Sequence, residues 1–366
     1  MGDLRVLAVR LDSDGDVLLT GPALRALAAA GATVDLLVSP AGEAAGRLLP
    51  AVRDVLVFDP PWSGYQPAPF DADAWRQLVE RLRARRYEEC VVFTSFHQSP
   101  LPMALAARLA GIPRVCGTSE DYPGSLLDVR ARRMPGGSVD DGGPGGGHEV
   151  EAALRLAAAA GHHLPPGDDG ALRVRLDEPR GVRARVARPR FGAERYVVVH
   201  PAGSVPARSL TGAHAHAIVT ALETAGWRVV LTGTYADRQL TAAAATSHTV
   251  DLTGRTSFAE LAHVLAGAAC TVVGNTGPAH LSAAVGTPVV SLFSPVVPAE
   301  RWAPWQVPHV LLGDQAAPCR GTRARECPVT GHPCLSTVPP SAVAEAVASL
   351  TAGDEPQDTV WAGGGS

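Results

Sequence analysis

The sequence contains no lysine: all 32 of its basic residues are arginine. Any cationic clamp on phosphate must therefore be a guanidinium or a helix N-terminus, and Schiff-base chemistry is excluded. Asparagine is almost as scarce, with Asn275 the single example, a bias that fits GC-rich codon usage. Charged residues make up 19% of the chain and the formal net charge is −4, so no basic field is available to hold a nucleic acid backbone. No stretch reaches the ~18 uninterrupted apolar residues of a membrane span. Met1–Arg10 runs straight into a short apolar strand without the charged and long apolar regions of a secretory signal. The expectation is a cytoplasmic protein with at most peripheral membrane contact and no nucleic acid partner.

Six cysteines are present, at 90, 116, 270, 319, 327 and 334. The last three lack the close Cys pairs of a structural zinc site, so a loop packed by free thiols is expected and no metal is assigned. What is abundant is apolar: 46% of 366 residues. That length suits two domains of roughly 150 to 180 residues, each with its own core.

Short apolar runs alternate with helical patterns. Arg5–Arg10, Val34–Val38, Val55–Phe58 and Cys90–Phe93 read as strands, with helices over Val17–Ala30, Ala41–Leu49, Ala74–Arg86 and Leu101–Leu109. From Ala131 to Gly147 a Gly-, Arg- and Asp-rich segment reads as a loop, either a plain insertion or a lid. A helix over Glu149–Ala160 precedes a Pro-, Gly- and Arg-rich linker placed at 176–195. The alternation then restarts, with strands at Tyr196–His200, Trp227–Leu231, Thr249–Leu252, Cys270–Val273, Val289–Phe293 and His309–Leu312. Helices are expected near Ala213–Ala225, Ala236–Ala245, Phe258–Ala266, Pro278–Val285 and Ser341–Leu350. The pattern predicts an α/β chain of two Rossmann-like doubly wound domains, 1–175 and 196–353, with a tail at 354–366. Ligands then belong at the carboxyl ends of the strands, in the cleft between the domains.

Three loops at such ends carry chemistry. After the first strand, Asp12, Asp14 and Asp16 fall within five residues. Aspartates there can cap the next helix, bind a divalent metal or supply a base; the calcium pattern of an EF-hand is missing. After Cys270–Val273 comes Gly274-Asn275-Thr276-Gly277-Pro278-Ala279-His280, a helix start with proline in its first turn. The free amides of Thr276, Gly277 and Ala279 make an anion site, although such a start is also an ordinary structural element. After Tyr196–His200 come small residues and Arg208, suited to a diphosphate. His200 itself reads as a core histidine.

Taken in order, these pieces resemble glycosyltransferase family 9, the ADP-heptose:lipopolysaccharide heptosyltransferases of GT-B fold. The resemblance rests on Gly15-Asp16-Val17, Pro22-Ala23-Leu24, His148-Glu149-Val150-Glu151, His200-Pro201, Pro206-Ala207-Arg208, Leu252 to Ser257, Gly274 to His280, Gly286-Thr287-Pro288 and Arg301-Trp302. It implies an inverting, metal-independent transferase without cofactor, moving a sugar from a nucleotide diphosphate, ADP-heptose favoured, onto a hydroxyl of a glycan, glycolipid or secondary metabolite. It further implies that Asp16 is the general base, with Gly15 and Asp14 on the acceptor side. Arg208 stands where the family often has a lysine on phosphate, and Thr276, Gly277 and His280 surround the donor diphosphate. Thr256 would lie near the nucleobase and Asp237 near the ribose. The chain departs from the family at Asn275, where well-known members carry an aspartate on the heptose; a neutral amide suits another sugar as well. A nucleotide-sugar epimerase and an inactive nucleotide-sugar-binding homologue are the alternative readings.

Overall fold

The computed structural model describes residues 4–64, 67–95, 97–133, 147–177 and 195–352. Most of the expected Gly-rich loop or lid (134–146), nearly all of the linker (178–194) and the tail from 353 lie outside the described residues.

The first half builds a parallel sheet from β1 (Arg5–Arg10), β2 (Thr33–Val38), β3 (Val52–Val57), β4 (Glu89–Val92), β5 (Arg114–Thr118) and β6 (Val129–Ala131), in spatial order β3-β2-β1-β4-β5-β6. Between its strands run α1 (Asp14–Ala28), α2 (Glu43–Gly46), α3 (Ala72–Arg85) and α4 (Leu101–Leu109), and α5 (Glu149–Ala159) follows it. The second half repeats the plan with β7 (Tyr196–His200), β8 (Arg228–Leu231), β9 (Val250–Asp251), β10 (Cys270–Gly274), β11 (Val289–Leu292) and β12 (His309–Leu312), ordered β12-β11-β10-β7-β8-β9. Its helices are α6 (Gly212–Thr224), α7 (Arg238–Ala244), α8 (Phe258–Ala266), α9 (Gly277–Ala284), α10 (Ala299–Trp302), α11 (Pro333–Ser336) and α12 (Pro340–Thr351).

The strands are nearly continuous Val, Leu and Ala runs because helices cover both faces of each sheet, leaving no polar side to alternate with. In both sheets the winding reverses beside the first strand, between β1 and β4 and between β7 and β10. At such switch points neighbouring loops diverge and open a crevice. The four loops that meet there are 11–13, 93–95 with 97–100, 201–211 and 275–276. A shared apolar cluster joins the halves: Leu19, Val150 and Leu172 from the first pack with Val273, Ala279 and Val307 from the second.

Several boundaries differ from the sequence expectations. The helix expected from Val17 begins at Asp14, which puts Asp16 inside the first turn rather than at the cap, a position held by Ser13. The helix expected over Ala41–Leu49 shrinks to a 3₁₀ turn at Pro40–Gly42 and one turn at Glu43–Gly46. Strands β5 and β6 were not anticipated. Ala131, assigned to the loop, ends β6, where Cys116 to Thr118 pair with Val129 to Ala131.

Candidate active site

The two crevices face each other as one cleft of about 460 Å³, lined from the first half by Asp12, Gly15, Asp16 and Gln98 and from the second by Arg208, Asn275, Thr276, Gly277, His280 and Trp302. The approach is close. A Cβ at Gly15 would sit 3.0 Å from the His280 ring and 3.2 Å from Gly277 Cα, so only glycine admits α9 this near to α1. Gly15, the residue before Asp16, therefore abuts the N-terminus of α9.

Asp16 is held at both carboxylate oxygens. Its Oδ1 lies 3.3 Å from Arg10 Nη2 and accepts from Trp302 Nε1 at 3.4 Å, while Oδ2 accepts from the Ser13 hydroxyl at 3.0 Å. Burial pushes this carboxyl up, but Arg10, the Ser13 hydroxyl, the His280 ring and Trp302 outweigh it and hold it below the usual carboxylate range. Arg10 is enclosed, with Nε 2.8 Å from Asp12 and Nη2 bonded to Ser95 Oγ at 2.8 Å and 3.4 Å from Glu149. Burial works against its charge, yet Asp12, Asp16 and Glu149 around it keep it protonated more firmly than an ordinary arginine. Glu149 is also buried, which pushes its carboxyl up against the pull of Arg10.

Asp14, expected on the acceptor side, turns away: its Oδ1 accepts from Ala45 N at 2.8 Å and it does not line the cleft. Burial pushes its carboxyl up to about 6, against that backbone bond.

The second-half groups are poorly partnered by comparison. Thr276 is the N-cap residue of α9 but makes no side-chain cap bond, and Pro278 occupies the first turn, as expected. Of the three amides expected to be free, however, Thr276 N donates to Gly274 O at 2.8 Å and Ala279 N to Thr276 O at 3.0 Å, because the tight turn out of β10 and the first turn of α9 use them. Arg208 is carried on the short turn Pro206–Arg208; its Nη1 is 3.4 Å from Asn275 O, and its Nε is buried without a partner. Burial lowers the affinity of this guanidinium for its proton, and the nearby Arg323 lowers it further. His280 is 4% exposed, and its Nδ1 has no partner either. Burial, then His148 and Arg208, take the ring down to about 4, against Asp16, so it is neutral near pH 7.

Asn275 is committed to the fold as well as to the cleft wall. Its Nδ2 donates to Ser294 O and its Oδ1 accepts from Ser294 N, both at 3.2 Å. A carboxylate there would face Ser294 O without a proton to give. Thr256 and Asp237 stand apart from the lining of the cleft. The Asp237 carboxylate closes the turn before α7, accepting from Thr234 N and Oγ1 at 2.7 Å. His200 is the core histidine expected, buried with Nδ1 2.9 Å from the Thr232 hydroxyl. All six cysteines are free, and Cys319 and Cys334 are buried in the second half's apolar core.

Sequence reasoning passed over Arg10, Gln98, Arg323 and Arg325, and gave Trp302 a place in a motif but no role at the site. Arg10 had a local signal, a charge ending a buried strand. Trp302 is brought in by α10, whose neighbours grip α5: His148 Nε2 donates to Ala303 O at 2.9 Å and its ring stacks on Trp305 at 4.5 Å.

Comparison with known proteins places this architecture. The family model described as glycosyltransferase family 9 (heptosyltransferase) matches residues 75–331. Lipopolysaccharide heptosyltransferase 1 of Pseudomonas aeruginosa is 31% identical over 326 residues, covering 86% of each chain. Among solved structures, Escherichia coli ADP-heptose lipopolysaccharide heptosyltransferase II aligns over 96% of this chain and 100% of its own, with TM-score 0.71 and 19% identity. A family 9 glycosyltransferase from Veillonella parvula aligns over 96% and 99%, with TM-score 0.74 and 14% identity.

Proposed function

This chain belongs to glycosyltransferase family 9 and is a glycosyltransferase of GT-B fold, and we propose that it moves heptose from ADP-heptose onto an acceptor hydroxyl with inversion, Asp16 serving as the base. The observation that carries the reading is the contact between the Asp16 turn and the start of α9, which sets a carboxylate beside a helix N-terminus in one cleft. The relatives' names supply the donor: those proteins are lipopolysaccharide heptosyltransferases, one of them described with ADP-heptose.

In this reading residues 1–175 bind the acceptor and 196–353 the donor. The acceptor oxygen attacks C1 of the sugar as its proton passes to Asp16 Oδ2, the oxygen held only by a hydroxyl. Negative charge grows on the departing diphosphate, where the Gly277 amide and the Thr276 hydroxyl at the start of α9, the Arg208 guanidinium and the neutral His280 ring gather to meet it. Those groups supply the positive field that a metal ion provides elsewhere. The diphosphate lies across the ends of β10 and β7, and the nucleoside continues along the same sheet edge past β8 and β9 towards Asp237 and Thr256. The acceptor is a glycan, glycolipid or secondary-metabolite hydroxyl, met in the cytoplasm or at a membrane surface; no helix among the described residues is long and apolar enough to cross a membrane.

A donor sugar other than heptose is the second reading, favoured by Asn275 lining the cleft with its amide already engaged by Ser294. Calorimetry with ADP, GDP, UDP and dTDP, each with magnesium and with EDTA, separates the two. Tightest binding of ADP, unchanged by EDTA, followed by product from ADP-heptose, is the expected result. Preference for another nucleotide keeps the mechanism and discards heptose, and product formed from the donor alone points to an epimerase.

A further inference from the structure

Four non-glycine residues among those described hold a positive φ: Arg86, Gln306, Arg323 and His332. A side chain in this left-handed region crowds its own backbone, so each instance needs a reason. Arg86 ends α3. The side chain of Gln306 reaches Asp169 O at 3.1 Å, and the ring of His332 reaches Ala207 O at 3.1 Å. Arg323, at φ 57°, is the one of the four that lines the cleft.

The segment that carries it is built onto the donor side. Arg323 N donates to Val296 O and Gly321 N to Pro295 O, both at 2.8 Å. Two residues further on, Arg325 O accepts from Ala207 N at 2.9 Å, inside the turn that presents Arg208. Arg325 Nη2 crosses the cleft to Gly64 O at 2.8 Å. Arg208 and Arg323 are therefore held by one scaffold, near enough that Arg323 disfavours the charge of Arg208, while Arg323, its own charge disfavoured first by burial, is disfavoured further by Arg325. Arg323 also helps, after burial, to bring the His97 ring on the facing wall down to about 4. Two arginines kept together beside a buried, unpartnered Nε make sense around a ligand carrying more than one negative charge.

We propose that Arg323 is a second guanidinium contact to the donor diphosphate, paired with Arg208 across the start of α9. The inference rests on the nucleotide-sugar reading and adds to it a residue from the segment that follows β12. Arg323 binds the diphosphate of the donor and holds it as the sugar–phosphate bond breaks, leaving the extra negative charge on the phosphate oxygens.

The backbone supplies a clean test, because glycine at this position removes the charge and relieves the conformation together. Wild-type protein, Arg323→Gly, Arg323→Ala and Arg323→Lys are titrated with ADP, GDP, UDP, dTDP and adenosine, and each is melted without ligand. The Gly variant is expected to melt at the wild-type temperature or above it, yet bind the preferred diphosphate roughly tenfold to a hundredfold more weakly, the scale of a charge-assisted bond. Binding of adenosine stays unchanged, and Arg323→Lys restores part of the loss. Arg86→Gly, with the same backbone relief far from the cleft, changes only the melting temperature. If wild-type protein binds a diphosphate and the Gly and Ala variants bind it equally well, this inference alone falls. If wild-type protein binds none of the four, the nucleotide-sugar reading falls and takes this inference with it.

Discussion

The two walls of the cleft handle charge in opposite ways. On the first-half wall every carboxylate is answered: Asp12, Asp16 and Glu149 surround Arg10, and Asp16 has a donor on each oxygen. On the second-half wall Arg208 Nε and His280 Nδ1 are buried without partners, beside the start of a helix that has no side-chain cap. Buried polar atoms left unpaired are destabilising, and they are tolerated where a ligand completes them. The first wall has its charges paired without substrate, Arg10 Nε included, which makes no hydrogen bond but stands 2.8 Å from the Asp12 carboxylate, as would suit the base proposed at Asp16. In the proposed reading an anion completes the second wall.

The sharpest way to break this contrast is to remove the base. Asp16→Asn keeps the shape and most of the contacts of the first wall, so transfer is expected to fall by ~10²–10⁴-fold, while affinity for ADP stays within about threefold. Single-turnover kinetics and calorimetry measure the two separately. Equal loss in both would mean that Asp16 organises the donor wall, and the division of labour would be wrong.

Next in size is the unfinished wall. Arg208→Met fills similar space without charge, so the protein without ligand is expected to gain stability, melting roughly 2–4 °C higher. Affinity for ADP falls at the same time by about tenfold to a hundredfold. Scanning calorimetry decides the matter: a lower melting temperature accompanying the weaker binding would show that Arg208 holds the fold rather than waits for the donor.

The same contrast explains what was legible in the sequence. The switch-point loops were readable because their residues follow strands whose apolar runs are unmistakable, and Gly15, Asp16, Arg208, Thr276, Gly277 and His280 all meet in the cleft. The outer strands β5 and β6 were missed because they are short and one carries Gly117 and Thr118, which weaken the apolar signal. Asp14 and Asp237 read as ligand groups, and each also engages a carboxylate oxygen locally, with Ala45 N or with Thr234, since an aspartate near a helix start serves either purpose and local sequence does not distinguish them. Arg323, and any role for Trp302 beyond its place in the Arg301-Trp302 motif, could not be read, for a different reason. Their roles depend on where a distant segment folds back, and the Arg-rich stretch at 320–325 was read only for its neighbouring cysteines.

Trp302 gives the smallest and most discriminating effect, because it is the point where the second half reaches over to finish the first wall. Its indole donates to Asp16 Oδ1 from 286 positions away in the chain. That bond, with Arg10 and Ser13, helps to keep the carboxylate ionised against its burial. Trp302→Phe keeps an aromatic ring packed against the shared apolar cluster but removes the donor. Losing a group that lowers a carboxyl's pKa raises it, so the acid limb of kcat/KM is expected to move to higher pH. Above the limb kcat falls only about threefold to tenfold, the scale of one neutral hydrogen bond. Affinity for ADP should not change, since the indole touches the base and not the phosphate site. A pH profile identical to wild type would show that Arg10 and Ser13 suffice. A fall in ADP affinity without a shift of the limb would instead make Trp302 part of the donor wall, and the two walls would no longer be separable at this contact.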